Sequence, residues 1–288
     1  AVVRGLRKGK GGVEPRKRRP ITWERVAPIE PYVPRAVWAM VQLHWHTGMR
    51  SGELVMLRSC DIDMSGDIWI YRPQQHKTEH LDHIRAIAIG PKAQDILRPW
   101  LRADLDAYLF QARESEQLRN TTRRDNRQTP KWPSHDPDHR RRKRGRKGKA
   151  NRRPGEHYTT SSYYRAVKRA ILAASIDAWC VDHGDDSHWS GAYRQWLRAK
   201  PKRLRREIDA WKREHGSEAM HSEAFRGFLA SRDWHPHQLR HTFATRARSE
   251  FEEWDPVRAA LGHTSPQTTI VYARLDERKA AKVAKKIG

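Results

Sequence analysis

The sequence predicts a mainly α protein with a small three-stranded antiparallel sheet, an α+β fold class. Three observations set this expectation. Apolar residues recur at three- and four-residue spacing over 34–46, 92–118, 160–174 and 255–261, the period of helices with one buried face. Residues 60–64, 67–71 and 83–89 instead alternate apolar with polar, and Ser65-Gly66 is a hairpin signal between the first two. The 288 residues are 37% hydrophobic, enough to bury a core despite 32% charged residues.

In chain order, residues 1–22 read as a basic flexible arm, with eight Lys and Arg in the first twenty positions. Val37, Val41 and Trp45 share one face of the 34–46 helix, and Gly48 ends it. Arg50 follows that stop, and Glu53, Leu54 and Leu57 begin another turn. Arg50 therefore stands at a corner, either projecting into a cleft or paired locally with Glu53 at i+3.

In the third strand, Ile84, Ala86 and Ala88 alternate with Arg85, Ile87 and Ile89. Lys77 rides on the 72–82 loop before it. His76, His80 and His83 lack both cysteine companions and a helical His pair, so they face phosphate or solvent rather than zinc. The next helix, from 92 to about 118, should bury Ile96, Leu97, Leu101, Leu105 and Leu109. Residues 119–155 then form a basic, disordered-like insert. Ten of the fourteen residues in 140–153 are Lys or Arg, and like-charge repulsion keeps such a run extended.

Helical period returns over 160–174 through Tyr164, Val167 and Ile171. Residues 176–232 are a second, helical insert containing Trp196, Leu204, Ile208 and Trp211, either a DNA clamp or a packed elaboration. Pro236 suits a helix first turn, which places His237, Arg240 and His241 at i, i+3 and i+4 on one face. A helix N-terminus favours anions, a guanidinium forks onto two phosphate oxygens, and imidazole exchanges protons near neutral pH. The helix over 255–261 stops at Gly262, a left-handed cap that puts His263 at a sharp corner. Ser265-Pro266 opens a further helix with Tyr272 about two turns on, and 276–287 is a final helix with a thin apolar stripe.

Fifty-eight Lys and Arg against 34 Asp and Glu leave a net charge of +24, which points to nucleic acid. An anionic membrane is the other candidate, but no run of about 18 apolar residues and no signal-peptide pattern is present. The expectation is a cytoplasmic protein, nucleoid-associated in a prokaryote. The two cysteines, Cys60 and Cys180, are too few for a disulfide framework or a cysteine zinc site.

His237-Gln238-Leu239-Arg240-His241, Leu261-Gly262-His263-Thr264 and Thr268-Thr269-Ile270-Val271-Tyr272 together resemble the C-terminal half of the tyrosine recombinase (phage integrase) family. Thr47-Gly48-Met49-Arg50-Ser51-Gly52-Glu53-Leu54 resembles its first arginine box, and His76-Lys77-Thr78 lies where that family keeps its lysine. The likeness covers roughly 25–110, 155–175 and 233–287. It implies the family's catalytic-domain fold over 23–288, interrupted by the two inserts, with the separate N-terminal core-binding domain missing.

The resemblance also implies chemistry. Tyr272 would attack the scissile phosphate to form a 3′-phosphotyrosyl link, without metal, ATP or other cofactor. Arg50 and Arg240 would clamp the non-bridging oxygens, His237 would assist proton removal, His263 would hydrogen-bond the phosphate, and Lys77 would protonate the leaving 5′-oxygen. The implied partners are double-stranded DNA and three further copies of the chain, joined in a tetramer through 276–287. A type IB topoisomerase-like enzyme and a catalytically inactive DNA-binding protein are the alternatives.

Overall fold

The computed structural model describes residues 19–74, 85–128, 155–182, 223–251 and 254–262. A short helix α1 (Trp23–Val26) runs into a 3-10 turn (Ala27–Tyr32), followed by α2 (Arg35–Thr47) and α3 (Ser51–Val55). Next come β1 (Ile62–Asp63), β2 (Trp69–Tyr71), β3 (Ile87–Ile89) and α4 (Pro91–Leu97). Helices α5 (Ala112–Asp125), α6 (Thr160–Asp182), α7 (Glu223–Arg232), α8 (His237–Glu250) and α9 (Trp254–Leu261) complete the described elements.

Helix α2 is the centre of the fold. The sequence marks one stripe on it, yet Met40, Leu43 and His44 are buried as well as Val37, Val41 and Trp45. The reason is that α2 is wrapped by α3, α4, α6, α8 and β3. Each fully buried Leu or Met here contributes about 1.5–3 kcal/mol.

The sheet has the order β1-β2-β3 with both pairings antiparallel, as expected, although its strands are shorter than the alternating runs. Register places Ile62 opposite Tyr71 and Trp69 opposite Ile89. Asp63 Oδ1 accepts from Ser65 N at 3.2 Å and Ser65 Oγ at 2.7 Å, which closes the turn between β1 and β2. On β3, Ile87 and Ile89 face the core, while Arg85, just before the strand, is buried on the same side.

Three expectations need correction. The single helix over 92–118 is broken: α4 ends at Leu97, a 3-10 turn carries Pro99, and α5 begins only at Ala112. A proline removes the backbone donor and disfavours helical backbone before it, so the leucine period runs on through a non-helical stretch where Leu105 is exposed. The first positions of the expected insert 119–155 are helical, because α5 continues to Asp125, although none of its residues is buried. On α6 Val167 and Ile171 are buried as expected, but Tyr163 and not Tyr164 joins them in the core, with Ala170 and Ala174.

Helix α6 also runs on to Asp182, so 176–182 is no separate element. Ile176 and Phe225 form a small second core with Leu172, Trp179 and Leu229. The 223–232 end of the helical insert is thus packed on α6. The flexible arm expected over 1–22 does not extend to its last positions: Ile21 is buried in the main core with its N–H on Thr242 Oγ1 at 2.9 Å, and Gln238 Nε2 donates to the Arg19 carbonyl at 2.8 Å. Trp196, Leu204, Ile208 and Trp211 lie outside the described residues, as do 1–18, the 140–153 run and the expected helix 276–287.

Candidate active site

The site begins at Gly48, which ends α2 with φ 61° and donates its N–H to the His44 carbonyl at 3.0 Å. This left-handed turn reverses the chain and leaves Arg50 in extended backbone as the N-cap of α3. Glu53, only 3% exposed, fixes Arg50 twice: Oε2 accepts from Arg50 N at 2.7 Å, and Oε1 accepts from Arg50 Nη1 at 2.9 Å. The local reading of Arg50 is therefore realised. It is paired with Glu53, and its side chain, 25% exposed, also reaches across the molecule until Nη2 lies 3.5 Å from the Gly262 carbonyl.

Helix α8 supplies the second arginine. Pro236 is its N-cap residue, and His237, Arg240 and His241 follow at the expected spacing, with the two histidine rings edge to face at 4.8 Å. The helix N-terminus is closed by its own chain. His237 N donates to His235 Nδ1 at 3.1 Å, Gln238 N to the His235 carbonyl at 2.7 Å, and Leu239 N to the Pro236 carbonyl at 3.0 Å. Attraction for an anion here consequently rests on side chains more than on the backbone donors expected from the sequence.

Arg240 is 3% exposed and bridges two corners of the fold. Its Nη1 donates to the Gly48 carbonyl at 2.7 Å and its Nη2 to the Leu261 carbonyl at 2.6 Å. Behind it, His44 is fully buried with Nδ1 3.4 Å from the Tyr163 hydroxyl. Burial first, then the charge of Arg240, pushes the His44 pKa down to about 3, so this histidine is neutral at physiological pH.

Helix α9 ends as expected, with Gly262 at φ 62°. Three consecutive carbonyls at this end each meet a different arginine. Ala260 accepts from Arg85 Nη1 at 3.4 Å, Leu261 from Arg240, and Gly262 from Arg50. The C-terminal end of a helix carries partial negative charge, so three cations there are favourable and fix where the chain leaves for His263.

Arg85 is the residue that sequence reasoning passed over. It is 6% exposed, its Nε donates to Glu53 Oε1 at 3.1 Å, and Nη1 also donates to the Ala86 carbonyl at 3.3 Å. Burial alone would raise the Glu53 pKa, but the guanidiniums of Arg85 and Arg50 and the Arg50 backbone N–H hold it below the usual carboxylate range. The available signal was Arg85 standing on the Ile87 and Ile89 side of an alternating run, an arginine where the pattern asks for an apolar residue.

Of the six residues singled out, Arg50, His237 and Arg240 are described, and Arg50 and Arg240 meet at the end of α9. Lys77, His263 and Tyr272 lie outside the described residues. Residues 161–279, from α6 through position 272, match the sequence model described as the phage integrase family. The matched segment, less than half of the chain, is similar to the phage integrase family. Arg50 and Lys77 lie upstream of the matched segment, which contains His237, Arg240, His263 and Tyr272.

A 49-residue stretch of the chain is 43% identical to the tyrosine recombinase XerC of Haemophilus ducreyi, a match spanning 17% of this chain and 16% of that protein. Among solved structures, the Tn1549 transposon integrase in complex with transposon right end DNA is 13% identical with a TM-score of 0.49, covering 96% of this chain and 67% of that one. XerA recombinase is 16% identical with a TM-score of 0.45, covering 92% and 64%. The XerH site-specific recombinase bound to difH substrate is 16% identical with a TM-score of 0.43, and the chain spans about half of its length (51%). Among the described residues no helix is long and apolar enough to cross a membrane, and no group of His, Cys, Asp and Glu could hold a metal ion.

Proposed function

We propose that this chain is the catalytic part of a site-specific DNA recombinase that cuts and rejoins DNA through a 3′-phosphotyrosyl intermediate. The observation that carries the proposal is the meeting of Arg50 and Arg240 on the carbonyls of Gly262 and Leu261, directly before His263. Two guanidiniums from distant segments are thereby held at the end of α9. That is an arrangement suited to the charge of a phosphodiester in transfer.

In the proposed reaction the Tyr272 oxygen attacks the scissile phosphorus as His237 assists removal of its proton. A P–O bond to tyrosine forms, the P–O5′ bond breaks, and Lys77 protonates the released 5′-oxygen. Arg50, Arg240 and His263 bind the non-bridging oxygens. Arg240 is buried and already fixed at both carbonyls, so its charge acts in a low-dielectric setting with little reorganisation. Rejoining is the reverse attack by a 5′-hydroxyl. The phosphotyrosyl bond conserves the energy of the broken one, so neither nucleotide nor metal enters the balance.

The partners in this reading are double-stranded DNA, attracted by the +24 net charge, and further copies of the chain joined through 276–287 on bound DNA. Residues 1–18 act as a basic arm, and the basic segment after α5 tracks phosphates without reading bases.

The test is a pool of nicked duplexes of random sequence, incubated with the protein and denatured, from which covalent adducts are recovered. Adducts should form with the wild type and vanish in Tyr272→Phe. Tyr163 is no rival nucleophile, being fully buried with its pKa driven up by desolvation. Tyr164, half-exposed with its ring 4.8 Å from His235, is the rival to exclude, and an adduct persisting in Tyr272→Phe but lost in Tyr164→Phe would overturn the assignment.

A further inference from the structure

Arg85 is costly to keep. A guanidinium buried to 6% exposure loses its hydration, and its Nη2 has no hydrogen-bond partner. Among the described residues, its Nε and Nη1 reach two places besides the carbonyl of its own neighbour Ala86: the Glu53 carboxylate and the Ala260 carbonyl. The first is the group that holds Arg50. Glu53 Oε1 is shared between Arg85 Nε at 3.1 Å and Arg50 Nη1 at 2.9 Å, while Oε2 holds the Arg50 backbone N–H at 2.7 Å. The second is the last turn of α9, one step before the residues held by Arg240 and Arg50. Gly262 is packed so closely on Arg85 that a Cβ there would overlap its guanidinium, so strand, carboxylate and corner form one contact network.

Without Arg85, Glu53 Oε1 faces Arg50 alone and the pair gains freedom to rotate about the α3 N-cap. A preorganised donor loses its value when its orientation is no longer fixed. We infer that Arg85 is a positioning residue for the proposed cleavage: anchored on the Ala260 carbonyl, it orients the Arg50 guanidinium through Glu53. The inference rests on the recombinase reading for its consequence, but not for its geometry. Arg85 acts on Arg50 and not on the phosphate, so removing it should matter only while Arg50 is present.

The experiment compares wild type, Arg85→Met, Arg50→Ala and the double variant on the covalently trapped duplex, with either a normal scissile phosphodiester or a charge-neutral methylphosphonate at that position. Arg85→Met should slow cleavage of the phosphodiester by about 10²-fold, the scale of losing one preorganised donor. In the Arg50→Ala background it should cost less than about threefold, the non-additivity expected of coupled residues. The loss should shrink on the methylphosphonate, which carries no charge for Arg50 to neutralise, while DNA affinity stays within about threefold because the many other cations carry binding. Additive losses, or equal losses on both substrates as a merely unstable protein would give, would overturn the inference.

A second arm is independent of catalysis. The Arg50 Nε–Hε resonance of the free protein should shift and broaden in Arg85→Met, and also in Arg85→Lys, which keeps a cation near Glu53 should Arg85→Met not fold. An unchanged Arg50 resonance rejects the positioning role. If the wild type forms no adduct with any duplex, the recombinase reading fails while this arm still decides whether Arg85 orders Arg50.

Discussion

Arg240 Nη1 donates to the Gly48 carbonyl at 2.7 Å, joining the start of α8 to the turn that ends α2, 192 positions apart in the chain. That turn also presents Arg50, so one hydrogen bond aligns the two arginines on which the proposed chemistry depends.

Replacing either arginine by lysine should not rescue cleavage. A point ammonium cannot hold the Gly48 and Leu261 carbonyls together as Arg240 does, nor pair with Glu53 while reaching Gly262 as Arg50 does. Single-turnover cleavage by Arg50→Lys and Arg240→Lys should fall about 10²–10³-fold. Equilibrium DNA binding in the same preparations should drop far less. Near wild-type rates in both variants would remove these residues from the site.

Gly48→Ala should destabilise the fold by at least about 1–2 kcal/mol, since φ 61° is strained for alanine and its Cβ would overlap the Phe243 ring. Gly52→Ala is the matched control. It lies in α3 with no neighbouring atom within 4 Å of where the new methyl would stand, and it should be neutral or stabilising by about 0.5–1 kcal/mol. Urea-denaturation midpoints compare the two, and equal midpoints would show that the Gly48 turn is not what fixes the corner.

Stability should fall as pH drops below neutral. The folded-state pKa of His44 is depressed to about 3 from an ordinary 6.5, so its contribution is complete above 6.5 and is lost progressively as the unfolded chain takes up a proton below that. The slope from one such group is at most about 1.4 kcal/mol per pH unit. His46, depressed by burial and then by Arg246 and Lys92, adds the same sign. His44→Leu should therefore flatten the dependence of the melting temperature on pH between about 6.5 and 4.5 without abolishing it. Glu53, also depressed, adds its own loss only below the ordinary carboxylate value of 4.5.

Truncation after residue 274 tests the proposed assembly. If 276–287 docks on a neighbouring copy, the shortened chain should bind a single DNA site as a monomer but fail to bring two sites together in a gel-shift synapsis assay. The competing arrangement, a tail packed on its own domain, buries the same stripe with no assembly cost and predicts intact synapsis.

Local events were legible in the order of the amino acids. The Gly48 and Gly262 stops, the spacing of His237, Arg240 and His241, and the three alternating strands all depend on near neighbours, and the structure holds them within the segments read for them, the strands being shorter than their runs. Misreadings arose where a pattern outran its element, as the leucine period of 92–118 continued past Pro99, and at single positions such as Tyr164, which is exposed while Tyr163 is buried beside the correctly read Val167 and Ile171. Only the packing of distant segments brings Arg85, Arg240 and Arg50 to the carbonyls of Ala260, Leu261 and Gly262 in turn. No periodicity encodes that meeting. It follows from three segments assembling around α2, where burying a charge is tolerable only because a carboxylate and the carbonyls of a helix end lie within reach.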